Sequence, residues 1–97
     1  LIDERGFFAR TWCEDELDRR GLVSDLKQCS VSWNDVRGTF RGMHYQQRPY
    51  GETKIVRCLR GSIFDVVLDL RPDSPTYRKW QGFRLSADDR DAIYIPE

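Results

Sequence analysis

Ile63-Phe64-Asp65-Val66-Val67-Leu68-Asp69-Leu70 is the stretch that decides the fold. Six of its eight residues are apolar, three of them β-branched, and the side chains sort by a period of two. Phe64, Val66, Leu68 and Leu70 fall on one face, and Ile63, Asp65, Val67 and Asp69 on the other, which reads as a β-strand. The turn Arg60-Gly61-Ser62 leads into it, and the loop Arg71-Pro72-Asp73-Ser74-Pro75, with two prolines, leads out. Working outward, Thr53–Leu59, Tyr77–Leu85 and Ala92–Ile95 carry the same signals on either side. Further upstream, Leu26–Trp33 alternates loosely, and Gly38–Gln46 reads as a strand interrupted by Gly42. Near the start, the chain from Leu1 to Trp12 reads as extended with a break at Gly6. Glu14–Arg20 is the exception: a short helix with carboxylates at Glu14, Asp15 and Glu16 in its first turn, ended by Gly21. Short strands at roughly 8–12-residue spacing with Gly and Pro turns define an all-β class, an antiparallel barrel or sandwich.

At 97 residues the chain makes one small domain, residues 1–97, with a thin core. Six or seven strands in such a core leave open edges, so a partner chain or further strands are expected to complete the sheets. A chain that begins at Leu1 rather than Met reads as a processed or cut piece.

Sixteen basic and sixteen acidic side chains cancel. Without a basic excess there is no counterion-release drive toward DNA or RNA, and nucleic acid is not an expected partner. No run approaches the ~20 apolar residues that span a bilayer, and the charged start Asp3-Glu4-Arg5 does not read as a signal peptide. Cys13, Cys29 and Cys58 are odd in number and lack Cys-x-x-Cys spacing, which fits neither a disulfide framework nor a zinc site. They read as reduced, mostly buried residues of a cytoplasmic protein. With one histidine, His44, the chain cannot supply the two or three imidazoles that metal-binding barrels use, so no metal is expected.

His44 lies in Arg41-Gly42-Met43-His44-Tyr45-Gln46. A lone strand histidine is more often a hydrogen-bonded structural residue than a catalytic one. Here Arg41 is close by, and Lys54 follows after the turn-like Gln47-Arg48-Pro49-Tyr50-Gly51, so a hairpin would set Lys54 beside His44. A bulge at Gly42 would turn Arg41 and His44 to one side. A base, an ammonium and a guanidinium together suit proton abstraction next to a carbonyl. Trp12, Trp33 and Trp80 read as core or interface aromatics, and Ser86–Asp91 as a solvated turn. Asp65 and Asp69, four apart on one strand, sit ~13 Å from each other, too far to act on one atom.

Taken in order, Asp3-Glu4-Arg5-Gly6-Phe7-Phe8, Arg41-Gly42-Met43-His44-Tyr45-Gln46 and Lys54-Ile55-Val56-Arg57 resemble the dTDP-4-dehydrorhamnose 3,5-epimerase family. Arg60-Gly61, Phe64-Asp65-Val66, Asp69-Leu70-Arg71, Ser74-Pro75-Thr76, Leu85-Ser86-Ala87 and Ile95-Pro96-Glu97 continue the match. The resemblance implies an incomplete cupin-like barrel or jelly roll and epimerisation at C3 and C5 of a nucleotide-linked 4-keto-6-deoxy sugar. It makes His44 the general base and Lys54 its neighbour near the developing enolate. Arg5, Phe7, Gln28 and Arg41 become substrate-binding residues, with no cofactor. It also implies a homodimer that exchanges N-terminal strands.

The chain departs from that family at Gln28-Cys29-Ser30-Val31-Ser32, where Gln-Asp-Asn-His-Ser is common, and at Arg10, where a glutamate is common. The family's general-acid tyrosine, and the aspartate that pairs with its base, fall beyond Glu97. The resemblance covers the first half of a full-length member. The competing expectation is a truncated, non-catalytic module that binds a sugar nucleotide or dimerises.

Overall fold

The apolar alternation of the central stretch needs a second strand to pair with, and the computed structural model, which describes residues 2–97, supplies it from residues 80–86. Contacts divide the chain into two units, Leu1–Met43 and His44–Glu97.

In the first unit, β1 (Ile2–Asp3) and β2 (Gly6–Phe7) form a small antiparallel hairpin with Ile2 opposite Phe7. Helix α1 (Glu14–Asp18) follows. Cys13 gives it no side-chain cap, so the acidic residues of the first turn carry its N-terminus electrostatically. Its end is a Schellman motif: the Leu22 N–H donates to the Leu17 carbonyl at 3.0 Å and the Gly21 N–H to the Asp18 carbonyl at 2.9 Å. Gly21 takes φ +68, a conformation that a Cβ would strain.

The second unit holds two antiparallel pairs. β3 (Lys54–Arg57) pairs with β6 (Ala92–Ile95), Lys54 opposite Ile95 and Val56 opposite Ile93. β4 (Ser62–Leu68) pairs with β5 (Trp80–Ser86), from Ser62 opposite Ser86 to Leu68 opposite Trp80. Leu85, opposite Ile63, is 2% exposed and Cys58 is 8% exposed; among the described residues these are the buried hydrophobics. The other face of the β4–β5 hairpin is open, with Phe64 69% exposed and Trp80 also exposed. On that face Phe64 folds its ring over Gly82, where a Cβ would collide with it.

The β4–β5 connection is built around one carboxylate. Asp69 accepts from the Arg71 N–H at 3.0 Å, Nε at 2.9 Å and Nη2 at 2.8 Å, and from the Ser74 and Thr76 hydroxyls at 2.6 and 2.7 Å. These donors, the Arg71 guanidinium foremost, hold the Asp69 carboxyl far below the usual carboxylate range. The ladder continues one step past β4, from the Asp69 N–H to the Lys79 carbonyl and from the Arg78 N–H to the Asp69 carbonyl. Arg78 sits at φ +61 to make the turn. Tyr77–Lys79 therefore belongs to the connection, and β5 begins three residues later than its sequence pattern predicts.

Neither Leu26–Trp33 nor Gly38–Gln46 forms a strand. An alternating pattern becomes a strand only where its N–H and C=O groups find a ladder, and these segments meet none among the described residues. Two side-chain expectations are also corrected. Cys29 is exposed and Cys13 half-buried, leaving Cys58 as the buried thiol. Trp12, Trp33 and Trp80 are exposed, which overturns the core reading of these aromatics and leaves the interface one open. The expected turn over Ser86–Asp91 is formed by Ala87–Asp89 directly after β5, pinned by the Ser86 hydroxyl donating to Asp89 and by Arg90 at φ +63.

Candidate active site

Lys54 opens β3, opposite Ile95 and on the same sheet face as Val56 and Ile93. That face is the more covered one, because Lys54 and Val56 are half-buried while Ile55 and Arg57 are exposed. The Lys54 side chain is 38% exposed, and its ammonium stands 3.3 Å from a Glu52 carboxylate oxygen.

His44 is exposed and begins the same unit, in the irregular segment before β3. The hairpin expected between His44 and Lys54 is not formed: β3 spends its ladder on β6, and residues 44–53 hold only a turn closed by the Tyr50 N–H on the Gln47 carbonyl at 2.8 Å. Pro49 within that turn has no N–H to offer a ladder.

The remaining candidates lie in the first unit. Gly42, beside Arg41, has φ +104, a backbone conformation that favours glycine. Arg41 is held by two acceptors, with Nε donating to Asn34 Oδ1 at 2.6 Å and Nη2 to the Trp33 carbonyl at 3.2 Å. Gln28 is exposed in the irregular stretch after α1. Phe7, exposed, sits in β2. Arg5 sits in the β1–β2 turn and is clamped to Asp3: Nη2 donates to Oδ2 at 2.7 Å, Nε to Oδ1 at 3.4 Å, and the Arg5 N–H to Oδ1 at 2.9 Å. The Arg5 guanidinium lowers the Asp3 pKa.

Sequence reasoning found the two arginines but missed the side chains that fix them. For Arg5 the signal was present as Asp-x-Arg, a spacing at which one carboxylate reaches both the backbone N–H and the guanidinium two residues on. Asn34, seven residues from Arg41, left no local signature.

Among the described residues, two strand pairs, a short hairpin and one five-residue helix make this an all-β chain of cupin-like architecture, with no closed barrel. Residues 1–97 match the model of the dTDP-4-dehydrorhamnose 3,5-epimerase family, and the chain belongs to that family. It is 46% identical over 96 residues to a dTDP-4-dehydrorhamnose 3,5-epimerase of Methanothermobacter thermautotrophicus, covering 98% of this chain and 50% of the relative. It is 43% identical over 96 residues to a dTDP-4-dehydrorhamnose 3-epimerase of Streptomyces niveus, covering 98% and 46%. A crystal structure of the Bacillus anthracis 3,5-epimerase, with TDP and PPi bound, superposes with a TM-score of 0.93 at 39% identity, covering 98% of this chain and 54% of that one. The chain spans about half the length of the curated relatives it matches. Among the described residues no helix is long and apolar enough to cross a membrane.

Proposed function

We propose that this chain is the front part of a single cupin domain in an enzyme that epimerises a dTDP-linked 4-keto-6-deoxy sugar at the carbons flanking its keto group. The observation that carries the reading is the family match over residues 1–97, which includes the Arg41–Gln46 segment with His44 in it. The half-burial of Lys54 on the more covered face of β3 supports it further, since a cation is worth more against developing charge where water is partly excluded.

In the reaction, His44 takes the proton from the carbon next to the carbonyl. The electron pair of the C–H bond moves into the ring and onto the keto oxygen as an enolate. The Lys54 ammonium donates a hydrogen bond to that oxygen and stabilises the charge. Return of a proton to the opposite face inverts the carbon, so no net redox change occurs and no cofactor is called for. Arg41, fixed by Asn34, and Arg5, fixed by Asp3, serve anionic groups of the nucleotide, with Gln28 and Phe7 lining the substrate.

The same reading makes the protein a cytoplasmic homodimer that exchanges N-terminal strands. Three free cysteines support the compartment, and the exposed Ile2 and Phe7 of the first hairpin, with exposed Phe8 just after it, support the exchange. Proton NMR of the intact protein's product on dTDP-4-dehydro-6-deoxyglucose tests the activity. Inversion at C3 and C5 supports it, inversion at C3 alone narrows it to a 3-epimerase, and recovery of unchanged substrate refutes it.

A further inference from the structure

Two Asp-x-Arg pairs in this chain adopt the same clamp, yet one of them has no structural task that requires it. In both, Oδ1 accepts from the arginine N–H and Nε, and Oδ2 accepts from Nη2. Around Asp69 the clamp is part of a larger fixture, because Ser74 and Thr76 also donate to Oδ2, the carboxylate is 10% exposed, and the whole set closes the β4–β5 connection. Around Asp3 the described residues supply no such further donors. The Arg5 side chain stands 85% exposed. The β1–β2 turn needs only the bond from the Arg5 N–H to Oδ1, which an asparagine would accept equally well. The second oxygen serves the guanidinium alone.

Holding a long, exposed side chain in one rotamer costs entropy, and a solvated ion pair returns little for it. What the clamp does achieve is direction. Nε and one N–H of Nη2 are committed to Asp3, and the other three of the five guanidinium N–H donors are presented together at the tip of the hairpin. That is a planar donor set preorganised for a phosphate. The geometry points to Asp3 as the positioning residue for Arg5, a carboxylate whose task is to aim the guanidinium at the diphosphate of the nucleotide. This rests on the proposed role of Arg5 as a nucleotide-binding residue and adds to it the residue that sets its affinity.

The test is dTDP affinity by titration calorimetry, with the KM and kcat of the sugar nucleotide, in the intact protein carrying D3N, D3A, R5A and the double change D3N/R5A. Preorganisation of one such side chain predicts a roughly three- to tenfold loss of dTDP affinity in D3N as well as D3A, with the rise in KM exceeding any fall in kcat. It also predicts that D3N/R5A binds no more weakly than R5A, since a positioning residue has no effect without the residue it positions. Wild-type affinity in D3N alongside weakened R5A would confine Asp3 to the turn and overturn the inference while leaving Arg5 as a ligand. A double variant several-fold weaker than R5A would show Asp3 acting on the fold, and overturns it too. Unchanged affinity in R5A removes the nucleotide-binding role of Arg5 itself, and the inference with it.

Discussion

Replacing Leu85 with Ala probes how this chain holds its sheets together. Leu85 is 2% exposed and faces Ile63 across the β4–β5 ladder, on the side away from Phe64 and Trp80. Truncation removes about three buried carbons, worth ~2 kcal/mol in transfer free energy. The cavity adds to this, but a small sheet with few fully buried neighbours can close in on the gap, so the low end of the Leu→Ala range applies, about 2–3 kcal/mol. For a domain of this size each kcal/mol moves the melting temperature by roughly 4–8 °C, giving a fall of about 10–20 °C. Phe64→Ala, on the opposite face of the same hairpin, removes a larger side chain that is 69% exposed, and is expected to cost less than ~1 kcal/mol. Thermal and urea melts of both variants, followed by circular dichroism, give the comparison. A Leu85→Ala variant within ~0.5 kcal/mol of wild type, or a Phe64→Ala variant as costly as Leu85→Ala, would refute the assignment of the covered face.

Two further outcomes follow from individual side chains. Asp69→Asn destabilises the chain at neutral pH, because an amide cannot accept every donor that the carboxylate now holds. The folded-state pKa of Asp69 is depressed, so its contribution is fully present above the unfolded value near ~3.9 and is lost as pH falls below that toward the folded value. Urea melts at pH 7 and pH 3 should therefore show the gap between wild type and Asp69→Asn narrowing in acid; a gap that is unchanged or wider at pH 3 contradicts the clamp. Lys54→Met keeps the apolar stem on the covered face of β3 but removes the ammonium. Steady-state kinetics of the intact protein should show kcat reduced about 10²–10³-fold with the fold unchanged, whereas near-normal kcat would exclude Lys54 from enolate stabilisation.

The parts of the fold that were legible in the sequence are those determined within a few residues. Helix α1 followed from the acidic turn and Gly21, and β4 from the period-two pattern over Ile63–Leu70, of which the strand takes Ser62–Leu68. Pairing was not legible, because it is a relation between distant segments. Nothing in Lys54–Arg57 specifies Ala92–Ile95 as its ladder, and the turn at Gln47–Tyr50 pointed instead to a hairpin with the His44 segment. For the same reason Leu26–Trp33 and Gly38–Gln46, patterned like strands, read falsely as formed ones. The late start of β5 depends on a side chain, since Asp69 draws Ser74 and Thr76 into the loop and Arg78 must turn at positive φ. At the candidate site, residue types carried the chemistry and motif order carried the family. Arg5 is oriented by Asp3, whose Asp-x-Arg spacing is a local signal, whereas Arg41 is oriented by Asn34, which left none in the sequence.

The proposed reaction begins with His44 removing a proton from the carbon beside the keto group. Deuterium incorporation at C3 and C5 of dTDP-4-dehydro-6-deoxyglucose in D2O, read by NMR for the intact protein and its His44→Ala variant, tests it without depending on the later steps. Incorporation at one or both carbons in the wild type, abolished in folded His44→Ala, is the predicted result. Equal incorporation in the two proteins, or none in the folded wild type, would contradict it.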